Sequence, residues 1–203
     1  SIEPRSSWTT KTWAYDNEDC GSGPKIAAGG VKYAVVHHTV NSNTYASGDV
    51  PSMLAAIYTF HTKPVSQGGR GWCDIAYNFV IDRFGRTWEA RSGGVQNAII
   101  GGHAAGYNTG SVGVSFLGQY QPGASPAVAS PAPSALQAAG KVIGWKLGMG
   151  GLDPNSSVTV TSTTAGTTKT IKRVSGHRDV GQTSCPGELL YDQIATIRAT
   201  ART

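Results

Sequence analysis

Apolar residues in this chain fall into short runs separated by stretches rich in Gly, Ser, Thr and Pro. The run VKYAVVHHTV at 31–40 is dense in β-branched and aromatic residues and bounded by Gly30 and Asn41, which predicts a buried strand ending in two histidines. PSMLAAIYTFH, from Pro51 to His61, places Met53, Ile57 and Phe60 or His61 at helical spacing behind a candidate N-cap, Asp49. It predicts a helix over 51–63. In AYNFVIDRFGRTWEAR at 76–91, Tyr77, Phe79 and Ile81 alternate, the chain turns at RFGR, and the pattern resumes from Thr87 to Glu89, as in a hairpin. SVGVSFLG at 111–118 reads as a further strand.

QPGASPAVASPAP at 121–133 is a surface loop too short to separate two domains. A helix follows over 134–148, with Leu136, Val142, Ile143 and Leu147 on its apolar face and Gly148 and Gly150 stopping it. SSVTVTS and TTKTIKRVSGH flank Ala165-Gly166 as a hairpin whose second arm runs into His177, and a last helix is expected over 187–200. Residues 1–30, with Trp8, Trp13 and the turn-rich GSGP, are expected to form an irregular arm packed on the domain by its tryptophans. Strands alternating with helices, without an internal repeat, predict an α/β fold: one domain over 31–203 built on a central sheet.

Length and charge narrow the field. With 203 residues the chain supports one sizeable core. Its 17 Lys+Arg against 12 Asp+Glu give a net charge of +5, which favours anionic surfaces. The basic residues are scattered, with Lys169, Lys172 and Arg173 the only tight group, so the clustered stripe of a nucleic-acid binder is missing. No apolar run approaches the roughly 18 residues of a membrane span, and the start at Ser1 reads as a mature, soluble chain. A surface built from 27 Gly and many small polar residues, with 14% charged, suits an exported protein. The cysteines are Cys20, Cys73 and Cys185, an odd count that permits one disulfide and leaves one thiol for another role.

A catalytic zinc takes three protein ligands from His, Cys and carboxylates and keeps one position for water. SGHRDVGQTSCPG puts His177 and Cys185 on one loop, with Pro186-Gly187 turning the chain after the thiol. A third ligand has to come from elsewhere, and the end of a buried strand, where HHT lies, is a rigid platform. Strand neighbours face opposite sides, so at most one of His37 and His38 points at such an ion. Singly, each of these residues reads equally as a hydrogen-bonded structural histidine or a small buried cysteine. A Cys20–Cys73 pairing would leave Cys185 free, as a thiolate ligand requires.

The ordered strings VVHHT, GWCDIAYNFVIDRFGRTWEAR, GGHAAGYNTGSVGVSFLG and GHRDVGQTSCPG closely resemble the peptidoglycan recognition proteins and the related phage lysozyme-type N-acetylmuramoyl-L-alanine amidases, over residues 30–200. The resemblance implies a mixed central sheet with flanking helices, an amidase domain over 31–203, and a zinc ion in a surface groove. Carried over by motif, the zinc ligands are His37, His177 and Cys185, with His38 and His61 structural; with Cys185 in the metal motif, the odd count leaves Cys20 and Cys73 as the expected disulfide. Tyr77 corresponds to a tyrosine that bonds the zinc water or the substrate carbonyl. Thr183 stands where some relatives carry a catalytic lysine and others a threonine, and Gln182 where proline is common. His103, Arg91 and Asn108 are expected at the substrate.

Recognition-only members of the family typically lack the cysteine ligand, which Cys185 supplies here. The implied activity is therefore zinc-dependent hydrolysis of the amide between N-acetylmuramic acid and L-alanine in peptidoglycan. Two other readings stand beside it: a non-catalytic peptidoglycan-binding module, and a zinc peptidase acting on the stem peptide. No paired-carboxylate pattern of a muramidase is visible. Muramyl peptides are the expected partner, without nucleic acid or a membrane span, for a monomer that is secreted and works in the extracellular space or the cell wall.

Overall fold

In the computed structural model, which describes residues 1–203, the chain forms strands β1 (Ile2–Glu3), β2 (Tyr33–His38), β3 (Phe79–Ile81), β4 (Thr87–Glu89), β5 (Ser111–Phe116), β6 (Ser157–Thr161), β7 (Thr168–Lys172) and β8 (Val174–Gly176). Helices α1 (Val50–Thr62), α2 (Pro133–Gly148), α3 (Glu188–Tyr191) and α4 (Ile194–Ala201) complete it. Six strands make the central sheet, in the order β1-β4-β3-β5-β2-β8, while β6 and β7 pair as a separate hairpin. The sheet is mixed: β2 runs parallel to β5 and β8, β3 parallel to β5, and only β3–β4 is antiparallel. Every residue of β2 and β5 is buried, as parallel strands covered on both faces require, and this explains why both are dense in apolar residues.

Alternation along β2 sends Ala34 and Val36 to one face, where they meet Leu136, Ala139, Val142, Ile143 and Leu147 of α2 and Ile194 and Ile197 of α4. Gly140 and Gly144 let α4 lie against α2, because a methyl group at either would run into Thr200 or Ala201. The opposite face is covered in two patches. Val50, Leu54, Ile57 and Tyr58 of α1 pack with Val80, Trp88, Leu117 and Trp8. Val160 and Ile171 of the β6–β7 hairpin pack with Tyr33, Val35, Ala104, Tyr107 and Val180.

Three elements differ from the sequence expectation. The expected second arm of the hairpin, TTKTIKRVSGH, divides into β7, which pairs with β6, and β8, which joins the central sheet beside β2. The N-terminal arm is not wholly irregular, because Ile2–Glu3 pairs in parallel with Thr87–Trp88 of β4 and so closes the open backbone edge of that strand. Arg5 then donates to Asp74 at 2.9 Å and to the Ala90 carbonyl, and the indole N–H of Trp8 donates to the Glu89 carbonyl at 2.8 Å. The last helix is interrupted at Asp192–Gln193, yet Leu190, Ile194 and Ile197 keep helical spacing and all remain buried, so the break is a kink without a change of face.

Cys20 and Cys73 are disulfide-bonded across a sequence separation of 53, and Cys185 is free. A bridge closing a loop of that length restricts the unfolded chain by about 4 kcal/mol on the loop-entropy account. Reduction is therefore expected to lower the melting temperature, and denatured, metal-stripped protein titrated without reductant should expose one thiol. Three exposed thiols would contradict the pairing.

Buried histidines make the fold acid-sensitive. His61 Nδ1 accepts the Ala76 N–H at 3.1 Å, and His38 Nδ1 accepts the Tyr120 N–H at 3.3 Å. Burial, reinforced by nearby Arg70 and Arg178 respectively, lowers each ring to about 4. The unfolded chain takes up these protons near pH 6.5 while the folded chain refuses them until about pH 4, so stability falls as pH drops through that window. Each ring accounts for on the order of 3 kcal/mol by pH 4. Urea unfolding at pH 7 and pH 4.5, with a chelator present, should show this loss, and His61→Gln should shrink it; an unchanged midpoint would exclude the effect.

Candidate metal centre

His37 is the fifth residue of β2, the strand flanked by β5 and β8, and its side chain leaves the face opposite Val36. His177 follows β8 directly and opens a single 3-10 turn, His177–Asp179, whose backbone is braced by Asp179 Oδ2 accepting the Gly176 N–H at 2.8 Å. Cys185 lies on the loop that leads to α3. Arg178 staples that loop, its backbone N–H donating to the Cys185 carbonyl at 3.0 Å and its guanidinium to the Ser184 carbonyl and to Glu188. The parallel register of β2 and β8 thus brings two distant segments to one point at the carboxyl end of the sheet, where α/β folds place their ligands.

Donor atoms of His37, His177 and Cys185 all lie within 4.8 Å of one another. Cys185 Sγ is 3.7 Å from His37 Nδ1, a separation that suits an ion with an N bond of about 2.0 Å and an S bond of about 2.3 Å. Burial pushes the Cys185 thiol up to about 12, against the lowering effect of the His38 backbone N–H and of Arg178. Burial also lowers His177, and it lowers His37 well below the usual imidazole range with help from His103 and His177. Two neutral imidazoles and a thiol that yields its proton only to a cation form a donor set that fits zinc.

Tyr77 stands over the cluster, its ring centroid 5.4 Å from that of His37 and 5.8 Å from that of His61. Burial, and then the neighbouring Cys185, raise its phenol well above the usual range, so it stays protonated and available as a donor. Thr183 is exposed on the rim; its Oγ1 accepts the Cys185 N–H at 3.1 Å, which leaves its own O–H free. These residues, with His37, His38, His177 and Cys185, line a groove of about 570 Å³ whose far wall is Ile57, Phe60 and His61 of α1 with Arg70 and Trp72 beside it.

A second stretch of groove, about 1040 Å³, continues past His103, Arg91 and Asn108 to Asp16, Glu18 and Asp19 of the arm. Arg91 stacks over the Trp13 ring at 4.8 Å and donates to the Ile75 carbonyl at 3.0 Å, and burial lowers it to about 10. Asn108 turns its side-chain oxygen inward to accept the N–H groups of His103 and Ala104 at 2.8 and 2.9 Å. His103 is buried, and both ring nitrogens have protein partners: Nδ1 lies 2.8 Å from His37 Nε2, and Nε2 lies 3.1 Å from Ser111 Oγ. His38, on the other face of β2, sits against Tyr120. Sequence reasoning gave Ser111 and Trp72 no role and read Phe60 only as part of a helical stripe, since a strand serine and two aromatic residues carry no site pattern of their own.

A mixed α/β domain with a His, His, Cys cluster at the floor of a long surface groove is the class that fold and site define. Residues 27–188 match the model of the N-acetylmuramoyl-L-alanine amidase family, and the chain belongs to that family, which it shares with the peptidoglycan recognition proteins. Peptidoglycan recognition protein 1 of Bos taurus is 32% identical over 162 residues, 79% of this chain and 69% of that protein. Among solved structures, wild-type Drosophila PGRP-LB superposes with a TM-score of 0.71 at 25% identity, covering 97% of this chain and 93% of that one. The structure of human PGRP-IBETAC in complex with glycosamyl muramyl pentapeptide superposes with a TM-score of 0.66 at 25% identity, covering 96% and 94%.

Proposed function

We propose that this protein is a zinc-dependent N-acetylmuramoyl-L-alanine amidase that acts on peptidoglycan outside the cell. The observation that carries the reading is the convergence of His37, His177 and Cys185 within 4.8 Å beneath Tyr77. Zinc held by these three residues supplies Lewis-acid polarisation of a carbonyl and acidification of a water molecule. The groove provides length for a muramyl peptide, and the neighbour solved with a muramyl pentapeptide supports that class of ligand. Tyr77 donates its phenol O–H to the oxygen that gains charge when the lactyl carbonyl is attacked, and Thr183 offers a second O–H from the rim. Arg91 presents a cation to acidic groups of the stem peptide, and Asn108 holds the loop that frames this end. The Cys20–Cys73 disulfide agrees with an extracellular setting, and no helix is long and apolar enough to cross a membrane.

The names of the relatives favour a second reading, a module that binds peptidoglycan without cutting it. Digestion of purified cell walls, followed by mass spectrometry, separates the possibilities. Intact stem peptides with a free L-alanine amine, together with unsubstituted glycan, are the expected products. Fragments of the stem would identify a peptidase, and intact peptidoglycan with tight binding would identify the binding module.

A further inference from the structure

We propose that His103 and Ser111 are positioning residues that fix the tautomer of His37, so that Nδ1 presents its lone pair to the metal. The inference rests on the zinc reading for its purpose and on the hydrogen bonds for its geometry. Ser111 Oγ lies 2.9 Å from the carbonyl oxygen of Asn108, which can only accept and also takes the Ser111 backbone N–H at 3.2 Å; in the proposed relay the serine proton points to this carbonyl. Ser111 Oγ is therefore left to accept from His103 Nε2–H, 3.1 Å away. With its single proton on Nε2, neutral His103 offers a lone pair at Nδ1, and His37 Nε2–H donates to it across 2.8 Å. His37 Nδ1 is then bare, on the side that faces Cys185 Sγ. One backbone carbonyl thus decides, three hydrogen bonds away, which nitrogen of His37 can bind a cation.

The relay has a built housing. His103 fits a slot between Gly101 and Gly113, and a methyl group at either glycine would overlap its ring. Asn108 Oδ1 accepts the N–H groups of His103 and Ala104, which closes the loop on itself. The β6–β7 hairpin clamps the same loop from outside, with the Thr163 N–H donating to the Gly106 carbonyl at 2.9 Å and Val160 and Ile171 packing around Ala104 and Tyr107. A histidine so enclosed reaches the metal position through His37, and metal-ligating histidines are generally oriented through their second nitrogen in this manner.

The test combines nitrogen NMR of the zinc-free protein with zinc titration against a chromophoric chelator. In the wild type, His37 is expected to carry its proton on Nε2. His103→Leu keeps bulk and removes the acceptor; a mixture of His37 tautomers and a zinc affinity lower by about 10- to 100-fold are expected. His103→Asn restores an acceptor oxygen near the Nδ1 position and should recover most of both. Ser111→Ala removes the anchor with little loss of volume, is expected to weaken zinc binding about tenfold, and decides the matter if the Leu variant does not fold. A wild-type His37 protonated on Nδ1, or unchanged tautomer and affinity in folded Leu and Ala variants, overturns the proposal. Wild-type protein that binds no zinc defeats the metal reading instead, and the NMR result still judges the tautomer.

Discussion

Cys185→Ser is expected to purify as a folded protein that lacks zinc and does not hydrolyse peptidoglycan. The substitution swaps a thiolate, the strongest of the three donors, for a hydroxyl that stays protonated and binds zinc weakly. Its effect on the fold should be small. Cys185 sits on a loop held by Arg178 and by the helix that follows, and the main core of Val36, Val114, Phe116, Ile143 and Leu190 does not include it. Turnover should drop by more than about 10³, since the loss of metal removes the chemistry and not one of its aids, while binding to cell walls persists in the groove. Zinc content, thermal unfolding and product formation measured on one preparation check all three statements. Chelator-treated wild type should behave the same way and recover on adding zinc. Full-rate hydrolysis by either zinc-free protein would sink the metal mechanism.

Tyr77→Phe separates holding a metal from using it. The ring packs against His37 and His61, so phenylalanine keeps the packing and the zinc site and removes only the hydroxyl. If that hydroxyl donates to the developing oxyanion, turnover falls by about 10² to 10³ with zinc content and muramyl-peptide affinity preserved, the loss typical of one transition-state donor. A tyrosine that merely fills space predicts a near-neutral change. Unchanged turnover with full zinc would take Tyr77 out of the reaction and leave Thr183 as the donor to examine.

Much of this architecture is legible in the order of residues. Strands β2 and β5 are readable because strands buried on both faces are rich in β-branched and other apolar side chains, with polar residues only where they find partners inside. Helices α1 and α2 are readable because each buries one stripe, and Pro51 marks the first turn of α1; Pro133, read as the end of the preceding loop, in fact opens α2. The cluster was legible as a set of residue types, since few chemistries call for two histidines and an unpaired cysteine, and as a motif order shared with a known family. The two-residue strand of the arm was not, because Ile2 and Glu3 pair only with an edge that β4 offers once the sheet exists.

Read alone, the order of residues supplies the inventory: most of the elements, the residue types on hand for chemistry, and an odd cysteine. Which partner each residue meets is set by the fold. Alternation shows that His37 and His38 face opposite ways, but the side on which the His, His, Cys cluster forms depends on β8 arriving parallel to β2 with His177 at its end. The motif of His103 points to the substrate, and the fold does keep it on the groove lining, but only the fold shows its ring between Gly101 and Gly113 with both nitrogens engaged. Ser111 had no signal at all. Its role is a hydrogen-bond direction, set by an Asn108 carbonyl that can only accept, and such a direction exists only when the acceptor is in place.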